Sequence, residues 1–329
     1  MFAARHNSNR TNRKLTFQTL ESRQLMAGNV SAAVINGDLV VKGDVNSNDI
    51  AIFQVMQQGQ VIPGRYVISG LNGTTLNHGT GFNATGVNRD FLVEMNLGGN
   101  DHVAIGNMNP SNPNLTNASF IVPRNLKVTL DTSGDNNLEV KGITVRNNTT
   151  ITAGSGDNTM DIRGTFGVKS PFTTLPHGDL TIQVAGGGDD QVQLHNGSVL
   201  HDANIKVGGG QSGLDFVGLV DMNVHHNLNI HSGGGRDFNG IAVQGVHVGH
   251  DLNIEGGIAK DVVTIGNTTV ADKIFATFGH GNDFLAVEGV TARGAQSVFD
   301  GNVDDDTFHS LNNDFGSFQP LISSFEHFV

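Results

Sequence analysis

The chain has 329 residues, 37% hydrophobic and only 15% charged, with a formal net charge of −12. That length can bury a large core, which excludes a small disulfide- or zinc-stapled module, and the absence of cysteine excludes structural disulfides, thiolate metal sites and cysteine nucleophiles. Forty-four glycines and 36 asparagines, against one tyrosine and no tryptophan, leave few helix formers and abundant turn chemistry, so an all-β protein rich in turns is expected.

Residues 1–27 hold Arg5, Arg10, Arg13, Lys14 and Arg23 against Glu21, so the leader is basic and the remainder carries −16. An acidic body repels phosphates and there is no aromatic-plus-arginine platform, so nucleic acid is not an expected partner. A divalent cation suits the charge better. No run approaches the ~18 apolar residues of a spanning helix, so no membrane span is expected. Leu15 to Ala27 is broken by Gln18, Glu21, Ser22, Arg23 and Gln24, unlike the unbroken apolar stretch of a conventional signal peptide.

Phe17-Gln18-Thr19-Leu20-Glu21-Ser22-Arg23-Gln24-Leu25-Met26-Ala27 resembles the N-terminal signature of large planctomycete extracellular proteins, the LEPR-XLL motif. Phe17, Leu20, Glu21, Arg23, Leu25 and Ala27 fit it, Ser22 stands where the name-giving proline often lies, and Met26 replaces a leucine. The resemblance implies that residues 1–27 are a disordered export leader and that the protein is secreted or at the cell surface. It implies no activity.

Residues 28–120 read as an irregular opening, with coils led by Asn48 and Asp101 and interrupted by excursions at Gly59–Gly86 and Asn107–Asn117. From 121 to 311 the pattern is regular. Asn136, Asn158, Asp190, Asp215, Asp237, Asp261, Asp283 and Asp306 each follow a Gly-rich or polar turn and precede an alternating apolar strand. They recur about every 22–25 residues, apart from one longer interval that contains an insertion around Phe166 to Pro176, and such a period means a solenoid. Three short period-two strands fit each repeat: Leu228/Ile230, then Val217/Leu219, then Val224 are examples of the three sets. A parallel β-helix is therefore expected, right-handed by the rule for crossover connections. Its open end needs a cover, for which Phe308, Phe315, Phe318, Phe325 and Phe328, in and beside the final segment 312–329, are the natural C-terminal cap.

The turns carry the chemistry. Phe278-Gly279-His280-Gly281-Asn282-Asp283-Phe284-Leu285-Ala286 and Ala185-Gly186-Gly187-Gly188-Asp189-Asp190-Gln191-Val192-Gln193 resemble the RTX nonapeptide. That resemblance implies Ca²⁺ bound by Gly186, Gly188 and Asp190, and by Gly279, Gly281 and Asp283. The nonapeptides do not recur in tandem, and asparagine replaces aspartate in two coils. Asp215, Asp237, Asp261 and Asp283 line up at coil spacing, and such a row repels itself unless protonated, splayed or bridged by a cation. In the competing reading each Asp or Asn only caps its turn. Both stay open. A second column, His201, His226 and His250, stands four residues before Ile205, Ile230 and Ile254, with His177 one residue out of register. Like side chains stacked at a corner account for it; a transition-metal site is the other reading.

Catalysis finds little support. Gly279-His280-Gly281 superficially resembles a segment of the polygalacturonase family and Asp189-Asp190 is a carboxylate pair. That family's companion motifs are absent, and neighbouring aspartates on a strand point to opposite faces, so no acid–base pair can be nominated. The expected function is an exported, non-enzymatic β-solenoid of the cell surface or extracellular matrix, structural or adhesive. Its partner would be a matrix or surface polysaccharide or protein, and Ca²⁺ is its candidate cofactor. The alternative is a β-helix carbohydrate-active enzyme, a polysaccharide lyase or hydrolase, or a carbohydrate-binding module working through the loops at Gly59–Gly86 and Asn107–Asn117.

Overall fold

The computed structural model describes residues 28–95, 98–106, 120–167, 178–208, 213–233 and 238–329. The expected leader at 1–27, the excursion Asn107–Asn117, His177 and Asp237 lie outside the described residues. Everything regular among those described is β-strand, and among the described residues no helix is long and apolar enough to cross a membrane.

One coil shows how the sequence dictates the architecture. Ala203–Val207 buries Ala203, Ile205 and Val207 and turns Asn204 and Lys206 outward. Leu214–Val220 buries Val217 and Leu219, and the two-residue strand Asn223–Val224 buries Val224. Each pairs in parallel with its counterpart one coil on, as in Ile205↔Ile230, Val217↔Ile241 and Val224↔Val248. Three strands per coil, stacked in about eight turns, make a parallel β-solenoid. Inward residues form one continuous core from Val30 to Phe325, each fully buried Val, Leu or Ile contributing ~1.5–3 kcal/mol. In the coil of Asn137–Val145 the second and third strands run together through a bulge between Lys141 and Ile143, where Gly142 takes a φ of +65°.

The excursion expected at Gly59–Gly86 is not a loop. Gln60–Gly70 and Gly81–Thr85 are strands that pair antiparallel, the first with Asp49–Gln57 and the second with the first. Alternation explains it, since Tyr66, Ile68 and Ala84 are buried between outward neighbours. Asn29–Ile35 likewise pairs antiparallel with Asp38–Lys42. These hairpins occupy backbone groups that the first parallel coil would leave open. The Tyr66 hydroxyl donates to the Ile121 carbonyl at 2.5 Å, and its ring packs edge-on against Phe91 at 4.8 Å.

At the other end Leu321–Ser323 and His327–Phe328 add the last parallel strands to two faces. Phe308, Phe315 and Phe325 are buried and join Phe278 and Phe299 in a ring cluster with centroids 5.3–6.3 Å apart. Phe318 and Phe328, expected in the same cap, remain 45% and 65% exposed. Three of the five rings therefore seal the core.

Candidate functional site

The residue heading the second strand of each coil forms a column through the molecule. Its rungs are Asn48, Asp101, Asn136, Asn158, Asp190, Asp215, Asn239, Asp261, Asp283 and Asp306, all at most 6% exposed. In most rungs a side-chain oxygen accepts from the preceding coil. The N–H of Asn48 donates to Asp101 Oδ1 at 2.8 Å, that of Asn158 to Asp190 at 3.0 Å, that of Asp261 to Asp283 at 2.7 Å and that of Asp283 to Asp306 at 2.7 Å. Asp190 donates to Asp215 Oδ1 at 3.3 Å. Asn239, not Asp237, stands between Asp215 and Asp261 in register, and its Nδ2 donates to Asp261 Oδ1 at 2.9 Å. The rung is two residues later than the spacing suggested because the whole strand is displaced by two, with Ile241 and Val243 in the core positions.

The asparagine rungs reveal what the second atom of each side chain faces. Asn158 Nδ2 donates to the carbonyls of Gly154 and Gly156 at 3.0 and 2.8 Å, and Asn136 Nδ2 to Gly134 at 2.9 Å. The turn carbonyls thus point at the rung. Where aspartate replaces asparagine, an acceptor replaces that donor, and Oδ2 of Asp101, Asp190, Asp283 and Asp306 is buried without a hydrogen-bond partner. Asp261 differs, since its Oδ2 accepts the Gly257 N–H at 3.0 Å and its Oδ1 the Ser232 hydroxyl at 3.3 Å. Burial, reinforced by neighbouring carboxylates, pushes Asp283 up to about 7 against the opposing Asp261 N–H. Burial likewise raises Asp101, Asp190 and Asp306 to about 6, and raises Asp215 and Asp261. Coils ~4.8 Å apart place unscreened like charges at a cost of about 3 kcal/mol each at an effective dielectric of ~20.

The glycines of the turns have a steric explanation. A Cβ on Gly279 would overlap the Gly257 carbonyl oxygen, and one on Gly188, which takes a φ of +134°, would overlap that of Gly156. Gly186 and Gly281 are equally closed, against Ser155 and Ala259. At these four positions the neighbouring turn leaves no room for a side chain. The pair Asp189-Asp190 does not converge: Asp189 is exposed and accepts the Leu214 N–H at 2.9 Å, while Asp190 is buried.

A second column runs along the corner before the first strand, with the opposite polarity. Here the following coil donates to the preceding side chain: Asp179 to Asn148 at 3.1 Å, Asn227 to Asp202 at 2.9 Å, Asp251 to Asn227 at 3.2 Å. Beside it stand the histidines. The His201 and His226 rings stack at 4.9 Å with 4° between planes, and His226 and His250 lie 5.2 Å apart at 36°. Their aspartate partners escaped the sequence reading, although His201-Asp202 and His250-Asp251 recur as dipeptides.

On the outer face of the first strands, Thr181, Gln183, Asn204, Lys206, Asn229 and His231 help line a shallow groove of about 590 Å³ that extends to Asn253 and Glu255. Asn253 Nδ2 donates to Asn229 Oδ1, and Asn229 Nδ2 to Asn204 Oδ1, each at 2.8 Å. The column continues in register to Phe275, which is 37% exposed.

Residues 11–30 match the family model described as Planctomycete extracellular. The match falls on the stretch whose resemblance to that signature was noted above, and it supports an extracellular or surface location. No curated protein and no solved structure matches the chain. The planctomycete extracellular match covers the N-terminus alone.

Proposed function

We propose that this is an exported, non-enzymatic β-solenoid of the cell surface or extracellular matrix, stiffened by Ca²⁺ along its Gly-Asp edge. The observation that carries it is the column of buried rungs in which Asp101, Asp190, Asp283 and Asp306 each set an unpartnered oxygen in the place where asparagine donates to turn carbonyls. A buried carboxylate oxygen with no donor to accept calls for a proton or a cation, and Ca²⁺ takes six to eight oxygen ligands. Asp190, Asp215, Asp261 and Asp283 would supply carboxylates, and the turns holding Gly186, Gly188, Gly279 and Gly281 would supply carbonyls. Thermal unfolding of the whole chain tests this. Millimolar Ca²⁺ should raise the midpoint over that in chelator by several degrees and Mg²⁺ by much less, since a ligand at 100 times its Kd adds ~2.7 kcal/mol to the folded state. Equal midpoints in chelator and Ca²⁺ would reduce the aspartates to hydrogen-bonding rungs.

An adhesive role has its own support in the groove. A column of carboxamides at strand spacing offers donors and acceptors in a row, and exposed Phe275 at its end offers a ring face, a combination suited to an extended polysaccharide. Binding to a panel of extracellular glycans should weaken by about tenfold, ~1.4 kcal/mol, on Phe275→Ala or Asn229→Ala. Unchanged binding by both variants would move the adhesive surface elsewhere.

A further inference from the structure

We infer that the histidine corner is a binding site for one transition-metal ion, Zn²⁺ in chemical class, held by His201, Asp202 and His226. The inference is independent of the calcium reading, which concerns a different edge and a different ligand chemistry.

Three observations meet there. Ligand atoms of His201, Asp202 and His226 lie within 4.8 Å of one another, a spacing that modest side-chain rotation closes around one ion. Asp202 lies between the two imidazoles on the Nδ1 side: its Oδ1 is 2.6 Å from His226 Nδ1 and its Oδ2 is 3.5 Å from His201 Nδ1. Asp179 Oδ1 adds a further carboxylate 2.6 Å from His201 Nδ1. Carboxylates and imidazole nitrogens therefore alternate along the corner, a donor set of nitrogen and oxygen that suits zinc.

The backbone fixes this arrangement before any ion arrives. The His226 N–H donates to the His201 carbonyl at 3.2 Å and the His250 N–H to that of His226 at 3.0 Å, so the rings are stacked by the coil register itself. The N–H of Asn227 holds Asp202 Oδ1 at 2.9 Å. Side chains of His201 and His226 are 32% and 43% exposed, which leaves an entry path. Little ordering remains to be done on binding, and imidazole nitrogen selects zinc, copper or nickel over calcium and magnesium. One coil on, His250, Asp251 and Asp272 form a poorer group with a single nitrogen ligand.

Calorimetric titration of the whole chain with Zn²⁺ at pH 7.5, with millimolar Ca²⁺ and Mg²⁺ present throughout, tests the site. The expected result is one ion per chain, weakened at least about tenfold by His226→Ala or by Asp202→Asn and changed less than about twofold by His250→Ala, a variant outside the ligand set. Asp202→Asn keeps an oxygen for the Asn227 N–H, so its fold is protected where that of His226→Ala is in question; circular dichroism of both checks this. Co²⁺ in place of Zn²⁺ should give visible absorption bands that Asp202→Asn diminishes. Absence of Zn²⁺ binding, or equal binding by wild type and Asp202→Asn, overturns the site. Loss of the calcium-dependent midpoint shift alone would leave it standing.

Discussion

Gly279→Ala should lower stability by ~3 kcal/mol or more, at the upper end of overpacking penalties, because the new methyl meets the Gly257 carbonyl oxygen and not a side chain that can rotate away. Two coils' turns would have to separate, taking with them the hydrogen bond from the His280 N–H to the same Gly257 carbonyl, 3.2 Å long. Gly59→Ala is the control. Gly59, unlike Gly279, has a positive φ, +78°, but nothing lies within 4 Å of a Cβ there, so only the conformational cost of ~1 kcal/mol applies. Denaturant unfolding in chelator compares the two. If the variants are equally stable, the turns are looser than their stacking indicates and the glycines owe their place to something other than coil approach.

In chelator the protein should lose stability as pH rises from about 4 to about 7. The sign follows from the rungs. Asp101, Asp190 and Asp306 are raised to about 6 and Asp283 to about 7 in the folded state, against an ordinary 3.8. Between those limits the folded chain binds more protons than the unfolded one, so their contribution is complete below about 4 and disappears through about 6–7. A proton on Oδ2 lets the carboxyl donate to the turn carbonyls as asparagine does. Even ~1 kcal/mol in all, after discounting for solvent screening, would shift the midpoint by about 2 °C. Asp44, Asp161 and Asp202 have lowered values and act below about 4, outside this window. Proton and cation compete for the same oxygens, so the Ca²⁺ increment should be larger at pH 8 than at pH 5. Asp283→Asn supplies the donor permanently and should flatten the pH dependence while reducing the Ca²⁺ increment. Midpoints that rise from pH 4 to 7 in chelator would contradict the account.

Much of this was legible before any coordinates. Period-two strands at a 22–25 residue repeat define the solenoid, because each coil must present the same inward positions to its neighbour, and Ile205, Ile230 and Ile254 do. The rung column is legible in the sequence at all but one of its rungs. It fails at Asp237 because the register of Phe238–Gln244 is displaced by two residues, so Asn239 takes the rung. Gly59–Gly86 was misjudged because turn residues at Gly59, Asn72 and Asn77 concealed the alternation of Tyr66, Ile68 and Ala84, and no local pattern reveals that a strand pairs antiparallel. Partners of the histidines were missed for another reason. Asp179 and Asp202 contact residues 22 and 24 positions further on, and only alignment of coils brings them together.

The opposite polarities of the two rung columns bear on how such a molecule can change its length. At the Gly-Asp edge Asn48, Asp101, Asn158, Asp190, Asp261 and Asp283 each lend a backbone N–H forward to the next rung's side chain; at the corner Asp179, Asn227 and Asp251 lend theirs back. The upper surfaces of coils that follow this pattern therefore carry the same pair of offers. A coil of this pattern duplicated or deleted as a unit meets the same backbone partners on both sides. Reach can thus be lengthened or shortened by whole layers while the chemistry of every remaining layer stays as it was.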